Sequence, residues 1–261
     1  MARVIAVASQ KGGVGKTTTA ISLGSCLAQE GHRVLLVDID PQGNATSGLG
    51  VNGNELPKTV YEALIGGVGI EEAVTPTALA NLDLVPAGQS LSGAEVELVG
   101  VDGRESRLRS CLAPLRDQYE YTFVDSPPSL GLLTVNALTA ADSVIIPLQC
   151  EYLALEGLTQ LVAAVRRVQD HLNPALRIEG VLLTMYDARL NLSQQVAEEA
   201  RRFFSDRVYR TVIPRNVRLS EAPSFGKPIV LYDPNCPGAD SYRELAQEVL
   251  EHAQESAWPR A

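Results

Sequence analysis

Five short runs along the chain are apolar and rich in β-branched residues: 3–9, 34–37, 121–124, 144–146 and 178–183. They lack the polar alternation of a half-exposed strand, so they predict strands covered on both faces of a parallel sheet. Between them lie helical spacings. Ala20, Leu23 and Leu27 recur at three and four residues, as do Leu158, Leu161, Val162, Val165, Val168 and Leu172. Strands alternating with helices imply right-handed crossovers, hence an α/β fold with a doubly wound, mostly parallel sheet flanked by helices. Residues 50–118 are rich in glycine and acidic side chains and too weakly periodic to assign. The closing segment, 241–255, predicts a helix with an acidic face of Glu244, Glu248, Glu251 and Glu255. No repeat, low-complexity tract or long linker divides the chain, so residues 1–261 are expected to form a single domain.

Composition adds exclusions. Apolar residues make up 45% and charged residues 20%, the balance of an ordinary globular protein. No run approaches the roughly 18 apolar residues of a membrane span, and Gln10 and Lys11 end the first apolar run too early for a signal peptide. Cys26, Cys111, Cys150 and Cys236 are widely spaced and form no metal-binding pair; they read as reduced thiols of a cytoplasmic protein. The net charge of −9 argues against nucleic acid, but the charge is uneven. Residues 161–230 hold 11 Lys/Arg against 7 Asp/Glu, so an otherwise acidic protein presents a segment that suits a phosphate-bearing partner.

The chemistry concentrates after the first strand, in Gln10-Lys11-Gly12-Gly13-Val14-Gly15-Lys16-Thr17-Thr18. Glycines there let backbone N–H groups turn inward around phosphate oxygens, and the following helix directs its positive end at them. Lys16 reaches the β- and γ-phosphates of ATP, and the Thr17 hydroxyl holds Mg²⁺. The general phosphate loop has glycine where Gln10 stands, and an extra cation, Lys11, precedes the paired glycines. Lys16 already serves a nucleotide in cis, so Lys11 is explained best as a cation delivered in trans, across a nucleotide-sandwiched homodimer. Carboxylates complete the site at strand ends, where parallel sheets place their ligands. Asp125 suits the Mg²⁺ shell, Asp38 lies near the metal, and Asp40 is placed to orient or deprotonate the attacking water.

Longer stretches carry a resemblance. Lys11-Gly-Gly-Val-Gly-Lys-Thr-Thr18 is followed by Val37-Asp-Ile-Asp-Pro-Gln-Gly-Asn-Ala-Thr-Ser-Gly-Leu-Gly50. Asp125-Ser-Pro-Pro-Ser-Leu-Gly131, Glu156-Gly-Leu158, Met185-Tyr-Asp-Ala-Arg189 and Ile213-Pro-Arg-Asn-Val-Arg-Leu-Ser-Glu-Ala-Pro-Ser-Phe-Gly-Lys-Pro228 come after. Together they resemble the ParA/Soj group of DNA-partitioning ATPases, a deviant Walker A class of P-loop protein. The likeness covers nearly the whole chain and is weakest over 52–118.

The resemblance implies a monomer that binds ATP and Mg²⁺, closes into a homodimer, and coats double-stranded DNA without reading sequence. A ParB-type centromere-binding partner then stimulates slow hydrolysis and releases the dimer, driving chromosome or plasmid segregation on the nucleoid. It makes Lys11 the trans lysine, Lys16 and Thr17 the cis contacts, and Asp40 the hydrolytic residue. It also places Met185, Pro214, Arg215 and Asn216 against adenine, and Arg189 and Arg218 against DNA. Ser126 stands where relatives often carry cysteine. The start at the first strand implies no separate N-terminal DNA-reading domain.

Three other readings compete. A MinD-like membrane ATPase needs a basic amphipathic C-terminal helix, whereas this one is acidic. A shared iron–sulfur cluster needs two converging thiolates per protomer in glycine-rich loops, which Cys111 and Cys150 do not occupy. A ParA-like ATPase that positions a protein cargo would use identical chemistry.

Overall fold

The computed structural model of the protein describes residues 2–151 and 154–257, without the side chains of 154–156 and 254–257. The side chains of Glu156 and Glu255, both part of motifs read from the sequence, therefore lie outside the described residues, as does Trp258. Among the described residues, seven strands form one sheet: β1 (Arg3–Val7), β2 (Val34–Asp38), β3 (Thr75–Pro76), β4 (Leu82–Val85), β5 (Tyr121–Asp125), β6 (Ser143–Gln149) and β7 (Arg177–Thr184). Their spatial order is β3-β4-β2-β5-β1-β6-β7. All neighbours are parallel except the two-residue edge strand β3, which runs antiparallel to β4.

The helices are α1 (Lys16–Gln29), α2 (Asn44–Gly48), α3 (Val60–Ile65), α4 (Leu91–Glu97), α5 (Arg107–Leu112), α6 (Leu132–Ala140), α7 (Ala154–His171), α8 (Asn191–Phe204), α9 (Val217–Glu221), α10 (Ile229–Tyr232) and α11 (Pro237–Ala257). The period of two along each strand divides them into two layers. Val4, Ala6, Leu35, Val37 and Val124 pack with α3 to α8, whereas Ile5, Val7, Val34, Leu36 and Phe123 pack with α1 and α9 to α11. Both faces of the central strands are dry, which is why those strands read as unbroken apolar runs.

Two differences from the sequence reading have physical causes. The unassigned stretch contains β4, whose four residues sit between Asn81, in the left-handed region at φ 64°, and Pro86. That is too short for any periodicity to register. Strands β5 and β6 run past the apolar residues to Asp125 and Gln149, because the sheet carries polar groups at its carboxyl edge for use.

Helix α11 closes the fold over the functional edge. The Tyr242 and Thr19 hydroxyls share a buried hydrogen bond of 3.0 Å, which ties α11 to α1. The Glu248 carboxylate accepts the backbone N–H groups of Arg210 at 2.7 Å and Thr211 at 3.0 Å. Burial pushes this carboxyl up, but those N–H bonds and the Arg210 charge leave it below its usual range. Glu248 thereby anchors the chain just ahead of the loop at Ile213–Asn216. Glu248→Ala should lower unfolding stability by about 2 kcal/mol, because two part-buried donors lose their acceptor. The native carboxylate's contribution should be present at neutral pH and fade as pH falls below the ordinary glutamate value. Urea unfolding of both proteins at pH 7 and pH 4 measures this, and an equal loss at the two pH values would contradict it.

Candidate functional site

The carboxyl ends of β1, β2, β5, β6 and β7 converge on one cleft. The loop after β1 turns on Gly13 at φ 73° and Gly15 at φ 89°, left-handed conformations that side chains resist. Gly15 caps α1, and its carbonyl accepts the Thr19 N–H at 2.8 Å. Thr184, the last residue of β7, donates its hydroxyl to the Val14 carbonyl at 2.9 Å and pins the crest of the loop. Lys16 starts α1 and is only 6% exposed, its ammonium donating to the Lys11 carbonyl at 3.4 Å. Burial lowers its pKa, opposed by Asp125 and Asp40. A largely buried cation at a helix N-terminus, ringed by a glycine backbone, is a receptor for a polyanion.

Strand register sets the carboxylates opposite it. Asp38 and Asp125 are direct partners across β2 and β5, and Val7 is the partner of Asp125 across β1. Both aspartates are fully buried. They differ in what holds them. Asp38 accepts the Asp40 N–H at 3.1 Å and both the backbone N–H and hydroxyl of Thr46 at 2.8 Å. Burial nevertheless raises its pKa to about 6. Asp125 has no hydrogen-bond partner of ordinary geometry for either carboxylate oxygen among the described residues. Burial raises it well above the usual range, the nearby Asp38 adds to this, and the Thr17 hydroxyl and Lys16 temper it.

A buried carboxylate with free lone pairs beside a hydroxyl is the donor set a hard cation such as Mg²⁺ takes. Asp125 and Thr17 therefore fit a metal. Asp38 has both oxygens engaged and chiefly fixes the turn that carries Asp40. That turn is tight: Asp40 accepts the Gln42 N–H at 3.0 Å and remains 5% exposed.

Beside the loop lies a second compartment. A cavity of about 190 Å³ is lined by Gly15, Thr18, Met185, Pro214, Arg215, Asn216 and Tyr242, among others. Residues from four distant parts of the sequence thus meet around one slot, of a kind that takes a flat heterocycle. The Asn216 side chain caps α9 by accepting the Arg218 N–H at 2.8 Å. Lys11 stands at the rim, its side chain 41% exposed and its ammonium 3.7 Å from Glu151. Glu151 also accepts from Arg215 at 3.0 Å.

Arg189 and Arg218 lie outside the cleft. Arg189 grips Asp187 with two guanidinium bonds of 2.9 and 2.7 Å, and holds that carboxyl down at about 2. Arg218 pairs with Glu221 at 2.8 Å and Asp233 at 3.3 Å. The sequence reading missed Thr46, Thr184, Gln149 and Glu151. The last three stand at or just beyond the carboxyl ends of β6 and β7, so their place in a parallel sheet was the available signal. Thr46 lies within the 37–50 stretch of the resemblance, but no spacing rule ties it to Asp38, eight residues away across a turn.

The unpartnered Asp125 carboxyl carries a testable cost. Asp125→Asn should raise the stability of the nucleotide-free protein by about 1–3 kcal/mol at pH 8, because it removes a buried group that has lost its water. The raised native pKa means wild type is favoured at low pH and loses that advantage as pH rises through the native value. The gain should therefore shrink towards pH 5 in denaturant titrations; a destabilised variant at pH 8 would refute the account.

A family model described as an AAA domain matches residues 2–178, more than half of the chain. The sporulation initiation inhibitor protein Soj of Bacillus subtilis is 59% identical over 249 residues, covering 95% of this chain and 98% of Soj. The chromosome partitioning protein ParA of Myxococcus xanthus is 56% identical, covering 95% of this chain and 88% of that protein. Among solved structures, cobyrinic acid a,c-diamide synthase of Mycobacterium smegmatis, with bound ADP and magnesium, superposes with a TM-score of 0.87. It is 41% identical and the match covers 98% of this chain and 97% of that one. The two-lysine phosphate loop, the paired strand-end aspartates and these likenesses agree: the chain belongs to the ParA/Soj family of chromosome-partitioning P-loop ATPases.

Proposed function

We propose that the protein binds Mg-ATP, closes on it as a homodimer, holds double-stranded DNA without sequence preference, and is released when a ParB-type partner stimulates hydrolysis. The observation that carries this reading is the division of labour between two lysines. Lys16 is buried in the cleft of its own chain, while Lys11 stands half-exposed at the rim, facing Glu151 instead of the phosphate loop. One cation suffices for a nucleotide in cis; the other is disposed for a neighbour's.

The residues divide the chemistry as follows. Gly12, Gly13, Val14, Gly15 and Thr18 supply backbone and hydroxyl donors, and Lys16 the charge, for the phosphates. Met185, Pro214, Arg215 and Asn216 form the wall against adenine. Thr17 and Asp125 would hold Mg²⁺, with Asp38 behind them, and the bound ion would supply positive charge against the phosphates. Asp40, fixed by its own turn, orients the attacking water and draws off its proton. Lys11 of a second copy adds positive charge where the γ-phosphate parts, which makes turnover depend on assembly.

DNA binding rests on the basic segment 161–230, with Arg189 and Arg218 as contacts. Both are paired to carboxylates in this structure, but the pairs are exposed, and such pairs are worth only about 0–1 kcal/mol. Phosphates can displace them. A dimer doubles the patch, so individually weak contacts add through linkage. This function places the protein in the cytoplasm on the nucleoid. A protein cargo in place of the replicon would use the same site. A membrane role fits less well, since α11 is acidic and packs its apolar face on α1.

Size-exclusion chromatography of Asp40→Ala with Mg-ATP should show a stable dimer that shifts further with a duplex of arbitrary sequence. A monomer that ignores DNA would overturn the proposal. Lys16→Ala should lose a charge-assisted phosphate contact of about 1.5–3 kcal/mol, weakening ATP at least tenfold in calorimetry. Arg189→Glu should keep basal hydrolysis yet lose DNA. With about four phosphates neutralised per dimer, the wild-type log–log salt slope should lie near −3.5. A slope near zero would remove charge as the basis of DNA binding.

A further inference from the structure

Met185 is one of three non-glycine residues among those described with a left-handed backbone, at φ 50°; the other two are Asn81, in the turn before β4, and Ser205, at the end of α8. A long unbranched side chain has no intrinsic reason to adopt that conformation, so the surroundings impose it. Three constraints do so. Strand β7 ends at Thr184, which is pinned to the phosphate loop. Immediately after Met185 the chain pairs again, Tyr186 N–H donating to the Ile213 carbonyl at 3.0 Å and Arg215 N–H to the Tyr186 carbonyl at 3.4 Å. The third constraint acts on the side chain itself: the Gln149 amide donates to the Met185 sulfur at 3.2 Å.

Gln149 ends β6 in direct register with Thr184 and is only 8% exposed. It does not line the base cavity; Met185 does. A thioether is a weak acceptor, and a methionine left to itself samples several rotamers. A buried amide directed at the sulfur selects one of them. We propose that Gln149 is a positioning residue for nucleotide selection, fixing Met185 as a flat apolar wall that favours a purine base over a smaller ring. The inference rests on the ATP-binding reading above and specifies what sets its base preference.

The test compares wild type, Gln149→Leu, Met185→Leu and the double variant, with ATP, CTP and inorganic tripolyphosphate as probes in calorimetry with Mg²⁺. Gln149→Leu should weaken ATP roughly three- to fivefold, the scale of one weak hydrogen bond. Tripolyphosphate should bind unchanged and CTP nearly so, narrowing the ATP-to-CTP ratio. Met185→Leu keeps apolar bulk without the sulfur acceptor, so adding Gln149→Leu to it should cost ATP binding nothing further. Unchanged ATP affinity in Gln149→Leu, or an equal loss for all three probes, would overturn the proposal. Additive losses in the double variant would do the same. Should Gln149→Leu unfold, Met185→Leu alone decides by whether the ATP-to-CTP ratio narrows. Wild type binding none of the probes would instead defeat the ATP-binding reading itself.

Discussion

The cleft depends on one electrostatic constraint: two carboxylates and an ammonium are held out of water at the ends of adjacent parallel strands. Asp38 and Asp125 are side by side because β2 and β5 are in register, and Lys16 lies near Asp125 because α1 begins where the loop after β1 ends. Isolated charges in such a place cost several kcal/mol each. The fold offsets part of this by bonding Asp38 fully and leaves the rest on Asp125 and Lys16. A polyanion carrying a divalent cation would bring charges of the opposite signs to both, so its binding would relieve what folding leaves unresolved. The same arrangement explains why the sheet must be rigid there, since a strand slip of one residue would turn either carboxylate into the opposite core layer.

Much of this was legible in the sequence, for a physical reason. Strands buried on both faces have to be apolar throughout, and a phosphate loop has to place glycines where backbone N–H groups turn inward. Both demands leave residue types in fixed order, as at 3–9 and at Gly12, Gly13 and Gly15. The aspartates were legible because each breaks an apolar run at its carboxyl end. What stayed hidden are contacts whose meaning is three-dimensional. Gln149 and Met185 are 36 positions apart, and Thr19 and Tyr242 are 223 apart. No spacing rule links them. The stretch from 50 to 118 was opaque because its helices α3, α4 and α5 run six or seven residues, barely two turns, so no apolar stripe repeats often enough to be seen.

Charge pairing at the surface altered the picture in another way. Read along the chain, Arg189, Arg215 and Arg218 are positive residues awaiting a partner, yet each is paired with a carboxylate within the fold. Their availability to an anion is a matter of exchange between partners, which depends on salt and on the anion's charge density. Glu151 is the most consequential of these carboxylates, because it touches both Lys11 and Arg215. Arg215 holds one oxygen of Glu151 and Lys11 the other, so movement of Lys11 would leave the Arg215 pair in place.

The blunt margins of the sheet carry a last implication. On one side β3 offers two residues, one of them a proline with no N–H to give; on the other, β7 is bridged by Val208 and overlain by the segment that follows. Among the described residues, neither flank presents a long open ladder on which a foreign strand could grow. Copies brought close together would therefore meet, among the described residues, no long open strand on which a sheet could extend from one molecule to the next.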